Sequence, residues 1–133
     1  MDTKSEKILK TVDKNLAFVI KETHQFLKKI NSLIQFKIIC GLRTPQQQFE
    51  LYKIKKSYKD GYKLKSKHQE GKAVDIMVIF NNKITWKIEY YYYIASIVEY
   101  IAFNHKINIK WGGWFKKKDG SRFIDGGHFE IID

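Results

Sequence analysis

Two histidines and three carboxylates have the types and spacing for metal-assisted hydrolysis. His68 and Asp75 stand seven apart in Ser66-Lys67-His68-Gln69-Glu70-Gly71-Lys72-Ala73-Val74-Asp75, and His128 lies in Asp125-Gly126-Gly127-His128-Phe129-Glu130. A spacing of seven is no helical pair. It suits a loop histidine followed by an aspartate on the next strand, with Gly71 letting the chain turn between them. A lone carboxylate inside the apolar run Ala73 to Phe80 is costly unless paired or bound to a cation. Taken alone, the two residues fit equally a polar-loop histidine and a strand-edge aspartate. His128, at the entrance of the last strand, supplies the third donor of a His/Asp/His set whose fourth position is left to water. Nitrogen and oxygen donors of this kind favour zinc over calcium or magnesium. A base is also needed. Asp125 could fold back over the metal from its glycine turn, and Glu130, two residues past His128, shares that strand face. The residues alone leave the choice open. His24 and His105 read as structural. Cys40, the single cysteine, cannot form an intramolecular disulfide and reads as a small buried hydrophobe in Phe36-Lys37-Ile38-Ile39-Cys40.

The motifs resemble those of the M15 family of zinc peptidases, and most closely its small phage endolysins acting as L-alanyl-D-glutamate endopeptidases. Ser66-x-His68-x-x-Gly71-x-Ala73-x-Asp75 is similar to the family's first metal motif and Asp125-x-x-His128 to its second. The resemblance implies one Zn2+ held by His68, Asp75 and His128, with Asp125 as catalytic acid and base. Aspartate rather than glutamate at that position resembles the endopeptidase branch. Gly41-Leu42-Arg43-Thr44-Pro45-x-x-Gln48 resembles the family's arginine turn, which implies that Arg43 stabilises the oxyanion and that Gln48 and Ser66 lie near substrate. Trp111-Gly112-Gly113-Trp114 resembles a W-G-G-x-W stretch, with the second tryptophan one residue early. Trp111 reads as a cleft wall or as core. Asn82-Lys83-Ile84-x-Trp86 is also similar to the endolysin branch. The implied substrate is the peptide stem of peptidoglycan, cut between L-Ala and D-Glu. D-Ala-D-Ala carboxypeptidase or dipeptidase activity on the same scaffold is the nearest alternative, and a non-catalytic basic binding domain a distant one.

The elements that must position these residues can be read from periodicity. Ser5 to Leu33 is helical in pattern, with Ile8, Val12, Leu16, Val19, Phe26 and Ile30 as its stripe and Asp13 or Asn15 as a second cap. Phe36 to Cys40 reads as a strand. Thr44 and Pro45 start a helix through Ile54. Lys59-Asp60-Gly61 is a turn and Tyr62 to Gln69 a loop. Ala73 to Phe80 is a strand with Val74, Ile76, Val78 and Phe80 on one face. Asn81-Asn82-Lys83 turns, Trp86 to Phe103 is a long helix, and Ile107 to Trp111 and Phe129 to Ile132 are strands. The order predicts one α+β domain over residues 1–133, with helices packed on a small, mostly antiparallel sheet and a single zinc site at the sheet edge.

The chain has 133 residues, 44% apolar, enough for a core without disulfides. Its net charge of +11 attracts polyanions such as an anionic cell wall. Nucleic acid is not expected, since no helix-turn-helix or zinc-finger pattern occurs. No run of about 18 apolar residues is present for membrane insertion. Met1-Asp2-Thr3-Lys4-Ser5-Glu6-Lys7 lacks the pattern of a signal peptide. A monomer made in the cytoplasm is expected, with a holin-like partner for export implied by the resemblance.

Overall fold

Two short polar side chains divide the first helical stretch. In the computed structural model, which describes residues 1–122 and 124–133, α1 (Thr3–Leu9) is capped by Asp2, whose carboxylate accepts the Ser5 N–H at 2.7 Å. Asp13 caps α2 (Lys14–Lys29), accepting from Asn15 and Leu16 at 2.8 and 3.1 Å. The buried stripe of α2 runs through Leu16, Val19, Ile20, Thr23 and Leu27. Phe26 and Ile30, assigned to that stripe by spacing, are exposed. Phe26 lies one residue, or 100°, away from Leu27 and so faces outward, and Ile30 falls past the last turn.

The strands are β1 (Ile34–Cys40), β2 (Ala73–Phe80), β3 (Lys83–Thr85), β4 (Ile109–Trp111) and β5 (His128–Ile131). The sheet order is β1-β2-β5-β4, with β3 also on β2, and every pairing is antiparallel. The unforeseen β3 follows from Asn81 and Asn82, both at positive φ (49° and 66°), which make the tight turn that suits a two-residue hairpin. α3 (Pro45–Lys53) starts with a capping box in which Thr44 and Gln47 satisfy each other's backbone N–H groups. The long helix α4 (Ile88–Asn104) packs with α2 on one face of the sheet. Val74, Ile76 and Val78 meet Phe36, Ile38, Phe129, Ile131, Val19, Ile20 and Ile94 in a single core. This bears out an α+β domain with helices on a small antiparallel sheet.

The opposite face of β2 and β5 carries the chemistry. Asp75 pairs with His128 across the β2–β5 ladder, and with Cys40 across the β1–β2 ladder. The second pairing needs a bulge. Ile38 pairs with Ile76, Ile39 is the extra residue, and Cys40 is thereby brought level with Asp75. Beside the bulge, the buried Ser5 hydroxyl accepts the Ile38 N–H at 2.9 Å and ties α1 to β1.

Candidate metal and catalytic site

Asp75 stands between two imidazoles, with one carboxylate oxygen 3.2 Å from His68 Nε2 and the other 3.2 Å from His128 Nδ1. His68 sits on a single 3-10 turn, Lys67–Glu70, ended by Gly71 at φ 68°. That left-handed residue costs little only as glycine, and it delivers the chain directly into β2. His68 and His128 are 3% and 7% exposed, so their positions are set by packing. Phe115 lies against His128, its ring centre 5.3 Å away.

The unused nitrogen of each ring is fixed by an acceptor. Gly41 O lies 2.9 Å from His68 Nδ1, and Glu130 Oε1 lies 2.8 Å from His128 Nε2. A carbonyl or carboxylate can only accept, so those nitrogens carry protons, and the facing Nε2 of His68 and Nδ1 of His128 are the atoms that would turn lone pairs to a metal once the protons they share with Asp75 are displaced. A tetrahedral zinc with bonds of about 2.1 Å spaces its ligand atoms about 3.4 Å apart. Each histidine–aspartate separation is close to that edge length, the two running to different oxygens of Asp75, so the donor set suits zinc by chemistry and pair by pair through Asp75. Among the described residues, the donor clusters that span no more than 4.8 Å are Cys40 with His68 and Asp75, and Asp75 with Asp125 and His128, so Asp75 is what joins the two histidines.

The charges follow from this crowding. Burial opposes charge on His68, but the hydrogen bonds and charges of Asp75 and Cys40 outweigh it and hold the imidazole up at about 10. For His128, burial is likewise outweighed by Asp75 and Glu130, and its value is raised. Burial would raise Asp75, yet hydrogen bonds from both imidazoles drive it well below the usual carboxylate range. Metal binding at such a cluster displaces the imidazole protons. Asp125 differs: burial and the neighbouring Asp75 charge raise its pKa, the direction that suits a group which must both take and return a proton. Its carboxylate lies 3.9 Å from His128 Nδ1 and is half-exposed.

The turn bearing Asp125 is built by the Trp111-Gly112-Gly113 stretch. Asp125 N–H donates to Gly112 O at 3.0 Å, and a Cβ on Gly112 would come within 2.2 Å of Asp125 O. Trp111 is 1% exposed and its indole N–H donates to Gly126 O at 2.7 Å. The substrate contact expected of Trp111 is therefore corrected. It is a core residue that pins the turn bearing Asp125, with no surface left to offer a ligand.

Gln48 is corrected in the same way. It is fully buried. Its carbonyl accepts from Arg43 at 2.6 Å, and its amide donates to Ser57 Oγ and Lys59 O at 2.9 and 2.8 Å. Gln48 thus aims Arg43 and anchors the loop after α3. Arg43 reaches Cys40 Sγ at 3.2 Å and Asp75 at 3.7 Å. Cys40 is not the inert core residue expected. Burial pushes its thiol up, but His68 and Arg43 pull it below its ordinary value. The bulge that turns it toward Asp75 leaves no trace in residue spacing.

A cleft of about 270 Å³ collects Arg43, Ser66, His68, Asp75, Asp125 and His128 with Glu130 and Phe115. Six of the eight residues expected at the site line it, and Gln48 and Trp111 stand behind it. Glu130 was legible as a residue on His128's face, and the structure gives it the partner Nε2. Phe115 had no signal in sequence.

A family model for phage L-alanyl-D-glutamate peptidases matches residues 1–132. Among solved structures, the L-Ala D-Glu endopeptidase ChiX of Serratia marcescens is similar over 99% of this chain and 89% of its own, with 30% identity and a TM-score of 0.78. No curated protein matches.

Proposed function

Since the chain belongs to the phage L-alanyl-D-glutamate peptidases, a peptidoglycan hydrolase that cuts the L-Ala–D-Glu bond, we propose that it does so as a zinc enzyme with His68, Asp75 and His128 as ligands and Asp125 as acid and base. The observation that carries this reading is the Asp75 carboxylate placed 3.2 Å from each imidazole, with Asp125 beside them. When bound, zinc polarises the scissile carbonyl and brings the pKa of a water toward neutrality.

The residues of the chain do the rest. Asp125 accepts the proton of the attacking water and returns it to the leaving D-Glu amine, which makes a covalent enzyme intermediate unnecessary. Arg43, held by Gln48, faces the negative charge that develops on the carbonyl oxygen. Glu130 and Gly41 O keep the two imidazoles in their ligating tautomers. The Trp111–Gly126 bond keeps Asp125 at its post. The surplus of positive charge gathers the enzyme on the anionic wall, and monomeric action after holin-dependent release completes the reading. No helix among the described residues is long and apolar enough to cross a membrane.

The test is mass spectrometry of purified peptidoglycan after digestion, with and without a zinc chelator. Fragments with new N-terminal D-Glu, lost on chelation and restored by zinc, are expected. Cleavage that persists in the chelated protein removes the metal from the proposal. Released D-Ala would move the bond.

A further inference from the structure

The active-site cleft has two arms that meet at Asp75 and Asp125, one lined by lysines and the other by none. One arm is lined by Lys56, Ser57, Lys59, Ser66 and Lys67. The other, a depression of about 410 Å³, is lined by Ile39, Trp86, Ile88, Tyr91 and Ile124. A peptide bound across Asp75 and Asp125 has one side of its cut bond in each arm.

The polar arm is a built site. Lys59 and Lys67 are half-buried, unlike most lysines of the chain, and among the described residues neither forms an ion pair with a carboxylate. Both line the same cleft as His68, Asp75 and His128. Ser66 is 8% exposed, and its hydroxyl is buried with no hydrogen-bond partner among the described residues. A buried hydroxyl left unpaired is costly, and a ligand acceptor would relieve it. The segment is held without regular structure by side chains. Gln48 grips Ser57 and Lys59, the Gln69 amide donates to Gly61 O at 2.8 Å, and Asp60 caps Tyr62, Lys63 and Leu64 N–H groups.

The two sides of the bond differ in the same sense as the arms. L-Ala offers a methyl group. D-Glu spends one carboxyl on chain extension and keeps the other free, whichever is used, so it carries a negative charge on the leaving-amine side of the cut bond. We propose that Lys59, Lys67 and the Ser66 hydroxyl form a carboxylate subsite for the free acid of D-Glu, orienting the stem so that L-Ala and what precedes it lie along the Trp86–Ile88 arm. The inference rests on the L-Ala–D-Glu reading and adds a specificity to it. A stem whose D-Glu free acid is a carboxamide is a poorer substrate.

Two soluble stem peptides test this, identical except for free acid or carboxamide on D-Glu, with kcat and KM measured for zinc-loaded protein. A charge-assisted contact that is half-exposed is worth about tenfold in kcat/KM. The acid peptide should be preferred by that factor, carried mainly by KM. The Lys59→Gln/Lys67→Gln double variant should bring the ratio near unity, while Lys21→Gln on α2 keeps it. Cleavage of both peptides at equal rates by the parent protein, or an equal loss on both in the double variant, overturns the subsite alone. No cleavage of either peptide at the L-Ala–D-Glu bond by folded, zinc-loaded protein overturns the function and the subsite with it.

Discussion

Glu130 tests whether the carboxylate of β5 serves the metal rather than the proton transfer. Its Oε1 lies 2.8 Å from His128 Nε2 in a mostly buried position, and Nε2 has no other hydrogen-bond acceptor among the described residues. Glu130→Ala leaves a buried N–H without a partner and frees the ring to rotate. A hydrogen bond to a charged group contributes about 1.5–3 kcal/mol, so zinc affinity should fall roughly 10–100-fold, the range typical for partners that orient a metal-bound histidine. Glu130→Gln keeps an oxygen acceptor and loses only the charge. It should cost about 1 kcal/mol, or roughly fivefold. Zinc dissociation constants from competition with a chromophoric chelator measure both, and kcat at saturating zinc reads the chemistry separately. The expected order is parent, Gln, Ala in affinity, with kcat nearly restored by excess zinc. Unchanged zinc affinity with a kcat that excess metal cannot rescue would refute the reasoning and return Glu130 to candidacy as the base.

Asp125→Asn should keep zinc bound and lower kcat by about 10²–10⁴-fold, read by metal content and turnover on the same sample. His68→Ala should lose zinc itself, seen as metal content after dialysis. Gly112→Ala forces a methyl against Asp125 O and should destabilise the fold by about 1–3 kcal/mol while displacing the base, checked by denaturant melts and kcat. Asp2 should contribute an acid-sensitive part of stability. Hydrogen bonding from Ser5 outweighs its slight burial and lowers its carboxylate, so that contribution is present at neutral pH and fades as pH falls through the folded value. An Asp2→Asn variant should show a shallower acid limb in melting temperature against pH.

The sequence shows the site more clearly than the scaffold around it, for identifiable reasons. His68, Asp75 and His128 could be grouped as candidates because their spacing reflects short-range constraints, a turn into a strand and a glycine turn before one, whereas only the family resemblance favoured Asp125 over Glu130. The α3 start is equally local, since Thr44 and Pro45 act within one turn. What escapes is set by distant contacts. The bulge at Ile39 depends on the β1–β2 register. Trp111 belongs to the core because Gly126 accepts its N–H from across the turn. Gln48 serves a loop eleven residues away, which no periodicity marks. Lys59 and Lys67 look like ordinary solvated lysines until the loop folds beside the metal site.

The proposed metal ligands Asp75 and His128 stand on β2 and β5, each with neighbouring strands on both sides. The arm that carries Lys59 and Ser66 is anchored chiefly by side chains. In isotope-labelling terms these are two populations of amides. Those around Asp75 exchange with solvent only when the whole sheet opens, while those between Lys56 and Ser66 exchange through local opening. Warming should therefore loosen the segment between Lys56 and Ser66 before the strands that carry the proposed ligands. KM should climb with temperature in a protein that still carries its zinc.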